Sequence, residues 1–112
     1  MSKRYCLALD LKDDISLISE YEEHHRHVWP EILQSIKDAG IDKMEIYRTG
    51  NRLFMIMETV DSFNFENKAM ADASNEKVQE WEKLMWKYQQ ALPLAKPGVK
   101  WIIMKKIFSI DN

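Results

Sequence analysis

The first regular pattern in the chain is an alternation of hydrophobic side chains over Tyr5–Leu11, which is typical of a β-strand. Two similar patterns follow, Met44–Thr49 and Arg52–Val60. They are separated by so few residues that a tight hairpin is expected, with Gly50 free to take a positive φ. A last apolar stretch, Lys100–Ile110, predicts a further strand. The chain therefore contains four predicted strands.

Between the first two strands, hydrophobic residues recur every three or four positions, which indicates a helix. Asp13 and Asp14 suit the positively polarised start of this helix. Pro30 interrupts it, because proline lacks the backbone N–H and disfavours a helical residue before it. A second helical piece is therefore expected to begin at Pro30 and to end at Gly40.

A second helical region is predicted between the hairpin and the last strand. A short helix begins with a cap at Asp61 or Ser62, and a longer one with a cap at Ser74 or Asn75. The longer helix is amphipathic and runs until Pro93 stops it. Its apolar stripe consists of Val78, Trp81, Met85, Tyr88 and Leu92.

The order of elements, β-α-β-β-α-β, predicts an α+β protein of the ferredoxin-like plan, with helices on one face of an antiparallel sheet. The length of 112 residues fits one domain over residues 1–112. Both sides of the last two strands are apolar, as Phe54 and Ile56 illustrate. In a sheet with one solvent-exposed face, apolar and polar residues alternate more regularly along each strand. We therefore expect the open face to meet a second copy of the chain in a homodimer.

Composition narrows the classes of partner. A net charge of −2 without a basic stripe gives no electrostatic case for nucleic acid. No apolar run approaches the length of a membrane span, and acidic residues soon follow the N-terminus, unlike a signal peptide. The single cysteine, Cys6, excludes an internal disulfide. These features favour a cytoplasmic protein.

The candidate chemistry lies in residues 21–30, where all three histidines occur. On a helix, Tyr21, His25 and Trp29 share one face, because residues three or four apart are neighbours. Imidazole is suited to proton transfer near neutral pH, so His25 is the main catalytic candidate, and the alternative is a core histidine. His24 and His27 point elsewhere and are expected on a solvated face.

A metal site built from Glu23, His24 and His27 is an alternative, but the spacing matches no established zinc motif and no cysteine lies nearby. We therefore expect neither metal nor cofactor. Trp81 lies on the buried stripe of the last helix, where it serves either core packing or a pocket. Tyr47 lies on the opposite side of its strand from Ile46, and either side of this strand could line the pocket.

The segment Tyr21-x-x-x-His25-x-x-x-Trp29-Pro30-Glu31 resembles the signature of the L-rhamnose mutarotase family. The Ile46-Tyr47 and Val78-Gln79-Glu80-Trp81 segments and the apolar closing strand are also similar. The resemblance implies a dimeric α+β barrel that interconverts the α and β anomers of a 6-deoxy-sugar without a cofactor. It implies that His25 is the proton donor and that Tyr21 and Trp81 contact the substrate.

Two departures from the family pattern concern the identity of the sugar. Trp81 is followed by Glu82, where rhamnose-type members often carry a second tryptophan, and Met44 replaces a tyrosine sometimes found there. Both L-rhamnose and L-fucose therefore stay open as substrates. We further expect Trp29 and Tyr47 to be walls of the pocket. The alternatives from other classes are a ligand-binding regulatory domain without catalysis, and a cofactor-free monooxygenase or haem-handling dimeric barrel.

Overall fold

The computed structural model describes residues 2–111, so the first and last residues of the predicted 1–112 domain lie outside the described part. The chain forms nine elements in the described part. They are β1 (Ser2–Leu11), α1 (Ile15–His25), α2 (Pro30–Asp38), β2 (Ile41–Thr49), β3 (Arg52–Val60), α3 (Phe65–Ala73), α4 (Glu76–Trp86), β4 (Gln89–Gln90) and β5 (Ile102–Ile103).

The strands form one antiparallel sheet with β1 in a central position. One edge of β1 pairs with β3 along most of its length, and β3 pairs in turn with β2. The other edge of β1 pairs with β4 near Leu11 and with β5 near Leu7. This order, with two pairs of helices between the strands, confirms the predicted ferredoxin-like α+β fold.

The hydrophobic core lies between the helices and one face of the sheet. Leu7 of β1 stands opposite Met55 of β3, and Leu9 stands opposite Leu53, so these four side chains share the helix-facing side. Tyr21, Ile32 and Trp81 from three helices complete the largest part of this core. The other sheet face carries the alternate residues, among them Phe54 and Ile56. Helices α1, α2 and α4 pack on the first face through their core residues.

The local signals for the first helical region and the hairpin are confirmed. Asp14 caps α1, and its carboxylate accepts a hydrogen bond from the backbone N–H of Leu17 at 3.0 Å. Helix α1 ends at His25 and α2 starts at Pro30, so the helical region is interrupted next to the proline, as predicted. Gly40 ends the second piece with φ of 94°, and Gly50 in the hairpin has φ of 55°.

The predicted boundaries of the second helical region were partly wrong. Asn64, not Asp61 or Ser62, caps α3, because its backbone is extended and its side chain accepts from the N–H of Asn67. For α4 the cap is Asn75, one of the two predicted residues.

The predicted end of α4 at Pro93 was wrong, because the helix ends at Trp86. The backbone N–H of Lys12 donates to the carbonyl of Tyr88 at 2.8 Å, and Gln89 pairs with Leu11. The edge of β1 therefore draws these residues into an extended strand. Tyr88 and Leu92 are buried as their spacing predicted, but from a non-helical path.

The last strand is much shorter than predicted, since only Ile102–Ile103 pairs with β1. Ile103 stands opposite Leu7, so three further residues along each strand would bring Lys106 opposite Arg4. Like charges directly opposite each other destabilise a strand pair, so pairing as far as Lys106 is disfavoured. The apolar side chains beyond this point are open to solvent in the single chain; Ile107, Phe108 and Ile110 are 91%, 78% and 87% exposed.

Candidate active site

Tyr21 and His25 lie one turn apart near the end of α1, with their ring centroids 4.4 Å apart. The Nδ1 atom of His25 lies 2.9 Å from the backbone carbonyl oxygen of Tyr21. A carbonyl oxygen only accepts hydrogen bonds, so Nδ1 carries the proton in this contact. In the neutral ring, Nε2 is then left with a free lone pair that can take a proton from a ligand.

The surroundings of His25 favour its neutral form. Partial burial lowers the pKa of His25 from its ordinary value near 6.5, the hydrogen bond to the Tyr21 carbonyl opposes this shift, and the neighbouring His24 lowers it further. Near neutral pH the imidazole is therefore mostly unprotonated, and Nε2 is available as a base.

Tyr21 is buried, and its surroundings favour the neutral phenol. Burial raises the pKa of Tyr21 to about 12; a hydrogen bond from Gln89 opposes this rise, and the negative charge of Glu82 adds to it. The phenol therefore keeps its proton at neutral pH, beside an imidazole that is ready to accept one. The pair offers a proton donor and a proton acceptor within one helical turn.

Two tryptophans adjoin this pair. The ring of Trp81 on α4 lies edge-on to His25 at 5.7 Å, and Trp29, the residue before α2, lies edge-on to Trp81 at 5.1 Å. Trp81 is also part of the hydrophobic core. The core interpretation of Trp81 from the sequence is therefore confirmed, and its role in a pocket stays a prediction, supported by its contact with the candidate catalytic residue.

A cavity of about 260 Å³ opens beside Tyr21 and His25, between α1 and the sheet. Its lining residues are Tyr21, Glu22, His25, Arg26, Ile46, Arg48 and Leu53. At the cavity, Glu22 of α1 and Arg48 of β2 form an ion pair at 2.5 Å. The cavity thus combines two titratable side chains, apolar walls and paired charges, which suits a small polar ligand.

Tyr47 lies on the other face of the sheet from this cavity. It stands beside Phe54 in the β2–β3 register, whereas Ile46 faces the helices. Its exposed hydroxyl donates to Glu45 at 3.4 Å. The structure therefore brings Tyr21 and Trp81 into contact with His25 and places Trp29 against Trp81. It does not bring Tyr47 there, and the role of Tyr47 in a pocket stays a prediction.

The two other histidines differ from one another. The prediction for His27 is confirmed, because its side chain is 76% exposed and pairs with Glu23. The prediction for His24 was wrong. His24 is half-buried, and its Nε2 lies 3.1 Å from the hydroxyl of Tyr88, which in turn donates to Glu20. The early end of α4 places Tyr88 against α1 and so removes His24 from the solvent.

Sequence reasoning also missed Gln89, which donates from Nε2 to the Tyr21 hydroxyl at 3.4 Å. Gln89 lies in the stretch that was predicted as helix and is not part of the apolar stripe, so nothing in the local pattern singled it out. Only the pairing of β4 with β1 places Gln89 on the side of the sheet that faces Tyr21.

Over residues 2–111, no three His, Cys, Asp or Glu side chains cluster in a way that could hold a metal ion. In the same part of the chain, no helix is long and apolar enough to cross a membrane. The absence of a metal from the reaction stays a prediction.

A family model described as L-rhamnose mutarotase matches residues 4–110. The chain belongs to this family. The predicted sugar mutarotase function and its class, a carbohydrate isomerase, are confirmed at the level of the family. The alternatives of a non-catalytic regulatory domain and of a monooxygenase or haem-handling enzyme are not favoured.

Individual members of the mutarotase family resemble the chain to different degrees. The L-fucose mutarotase of Xanthomonas campestris pv. campestris is 44% identical over 112 residues, which cover 98% of this chain and 90% of that protein. The L-rhamnose mutarotase of Klebsiella pneumoniae subsp. pneumoniae is 32% identical over 80 residues, which cover 70% and 69% of the two chains. The crystal structure of an L-rhamnose mutarotase from Formosa agariphila shares the fold, with a TM-score of 0.70 at 24% identity, covering 96% of this chain and 98% of that one.

Proposed function

We propose that this mutarotase interconverts the α and β anomers of L-fucose in preference to L-rhamnose, with His25 and Tyr21 exchanging the protons. The preference rests on the relative named L-fucose mutarotase, whose similarity is higher and spans nearly the whole chain. It agrees with the two departures from the rhamnose-type pattern, Met44 and Glu82.

The reaction requires two proton transfers at neighbouring oxygens of the sugar. When the ring opens, Nε2 of His25 takes the proton of the anomeric hydroxyl, the bond between C1 and the ring oxygen breaks, and Tyr21 protonates the ring oxygen. After rotation about C1–C2, the same transfers run in reverse and close the ring on the other face. No proton is gained or lost overall, so His25 is a proton acceptor in one half of the cycle and a proton donor in the other.

One observation carries this assignment, namely the fixed protonation of the His25 ring beside a neutral phenol. The Tyr21 carbonyl holds the proton on Nδ1, which leaves Nε2 as the base. General acid–base catalysis by positioned groups typically accelerates a reaction by about a hundred- to ten-thousandfold. This range suffices for mutarotation, because water alone already opens the ring slowly.

The aromatic residues complete the proposed site. Trp81 lies edge-on to His25 and contacts Trp29, although neither tryptophan lines the cavity of the single chain. We propose that Trp81 packs against the apolar side of the sugar and its methyl group when the sugar reaches His25. Tyr47 is proposed as a wall residue only in the assembled dimer, because it lies on the open face of the sheet. No cofactor or metal takes part in the proposed reaction.

We further propose that residues 1–112 form a single domain and that the protein is a cytoplasmic homodimer. The dimer is supported by the apolar residues on the open sheet face, such as Phe54 and Ile56, and by the solvent-open apolar side chains after β5. A second copy covering this face would remove them from water, which is the main driving force of association.

The test is anomer-exchange NMR on L-fucose, L-rhamnose and L-galactose, the parent hexose of L-fucose. We expect the protein to accelerate exchange most for L-fucose. Exchange of L-galactose should be accelerated less, because it carries a CH2OH group in place of the methyl group of L-fucose. Faster exchange of L-rhamnose would contradict the preference for L-fucose while leaving mutarotase activity intact. Exchange at the buffer rate for every sugar would contradict the proposed function as a whole.

A further inference from the structure

Gln89 is a buried polar residue whose hydrogen bonding is incomplete. It is only 5% exposed, yet among residues 2–111 its Oε1 atom has no hydrogen-bond partner. Leaving a buried acceptor unpaired is destabilising, so an apolar side chain of similar shape is the more stable choice at such a position. A polar residue kept there at a cost to stability calls for a functional explanation.

The other end of the amide points to that explanation. Nε2 of Gln89 donates to the phenolic oxygen of Tyr21 at 3.4 Å, a long contact of the kind that tightens when a ligand binds. The phenolic oxygen of Tyr21 thus accepts from Gln89, while its backbone carbonyl separately accepts from His25. No acceptor for the phenolic proton of Tyr21 is found among the described residues, which leaves this proton for a ligand.

We propose that Gln89 is a positioning residue for Tyr21, whose amide N–H holds the phenolic oxygen so that the O–H is directed at the bound sugar. This inference rests on the proposed function. When Tyr21 gives its proton to the ring oxygen, the phenolate that remains keeps the N–H of Gln89 as a donor. The proton returns to Tyr21 when the ring closes, so the amide itself neither gains nor loses a proton.

The position of Gln89 in the backbone explains how it reaches Tyr21. It is the first residue of β4, and its pairing with Leu11 fixes it on the core side of the sheet, beneath α1. Gln90, the next residue, is exposed and pairs with Asp10. The two glutamines have the same side chain and the same strand, and differ in the face they occupy, so Gln90 supplies a matched control.

The test is a double-mutant cycle on anomer exchange with Gln89→Met, Tyr21→Phe and the combined variant, with Gln90→Met as control. Methionine keeps the length and shape of glutamine and removes the amide. We expect Gln89→Met to lower kcat about five- to tenfold, as the loss of one ordinary hydrogen bond does, with little change in KM. In the Tyr21→Phe background the same change should cost nothing further, and Gln90→Met should behave as wild type.

A packing role for Gln89 predicts a different pattern. Gln89→Met would then lower the melting temperature, and its effect on kcat would be the same with and without the Tyr21 hydroxyl. Equal losses in both backgrounds, or no loss in either, would overturn the positioning role while wild-type activity keeps the proposed function in place. If Gln89→Met does not fold, Gln89→Asn replaces it, because its shorter amide no longer reaches Tyr21 and the same coupled loss is expected.

Discussion

The backbone carbonyl of Tyr21, and not its side chain, holds the imidazole of His25, with Nδ1 and the oxygen 2.9 Å apart. The proton on Nδ1 is therefore fixed by the helix itself. Substituting Tyr21 removes the phenol but leaves the orientation of the imidazole in place. The contributions of the two residues to catalysis can accordingly be separated by mutation.

His25→Ala should slow anomer exchange by about a hundredfold or more and leave the fold intact, because the imidazole carries the proton transfer. His27→Ala should leave the rate unchanged, since His27 is exposed and pairs only with Glu23. Melting temperature and exchange rate are measured together for both variants. A lower melting temperature with a near-normal rate in His25→Ala would instead assign His25 to the core. His24→Ala is a less clean control because it also removes the contact with Tyr88.

The lowered pKa of His25 predicts a loss of stability in mild acid. The unfolded chain takes up a proton at His25 near pH 6.5, whereas the folded chain does so only at a lower pH. The unfolded state thus binds more protons in this window, so stability falls as the pH decreases from about 6.5 towards the folded pKa. Thermal melts of the wild type and His25→Gln between pH 7.5 and 5 test this, because glutamine removes the titration. Parallel pH dependence in both proteins would contradict the assignment.

Activity should survive prolonged treatment with EDTA, because the proposed reaction needs only protons from side chains. The measurement is the exchange rate before and after dialysis against the chelator, with and without added zinc. Loss of activity that zinc or another divalent ion restores would count against this prediction.

The protein should sediment as a dimer at micromolar concentration, joined through the open face of the sheet. Ile56→Lys places a charge in the middle of that face and should give a monomer that keeps its circular dichroism spectrum. Ile15→Lys, at an exposed position on α1, is the matched control and should stay dimeric. A wild-type protein that sediments only as a monomer would rule out this assembly.

Gly40→Ala should lower the free energy of unfolding by about 2–3 kcal/mol, because it combines backbone strain with a clash. The residue has φ of 94°, and an added Cβ would lie 2.8 Å from a methyl group of Val60. Gly50→Ala should cost only about 1 kcal/mol, since φ is also positive there but no atom lies within 4 Å. Urea unfolding of both variants compares the two costs, and equal losses would show that the contact with Val60 is easily relieved.

The fold was predictable where a local signal and the tertiary structure agree. Asp14, Pro30 and Gly40 each act through their own backbone chemistry, and all three stand where the sequence indicated. The signal failed for α4, because Tyr88 is buried at a helical spacing from Met85 while lying outside the helix. These residues can either extend the helix or pair with the edge of β1, and the pairing with β1 determines where α4 ends. A local pattern of hydrophobic residues does not show this pairing.

The site shows the same division. Tyr21 and His25 were predictable because a single helix fixes their relation, and the helical spacing implies it. Gln89 was not, because its contact with Tyr21 depends on the pairing of β4 with β1, two strands far apart in the sequence. Tyr47 shows the limit of strand alternation, which assigned its side relative to Ile46 correctly but not which side faces the cavity.

The early end of α4 leaves only Lys87 and Tyr88 between the helix and β4. Trp81 is fixed by the helix and Gln89 by the strand, so this short junction sets the rotation of one relative to the other. Inserting a single residue into α4 after Trp81 would turn the helix by about 100°, or would shift Gln89 to the opposite face of the sheet. The junction therefore does not tolerate insertions or deletions. Differences in length among relatives should instead occur in the irregular stretch between β4 and β5.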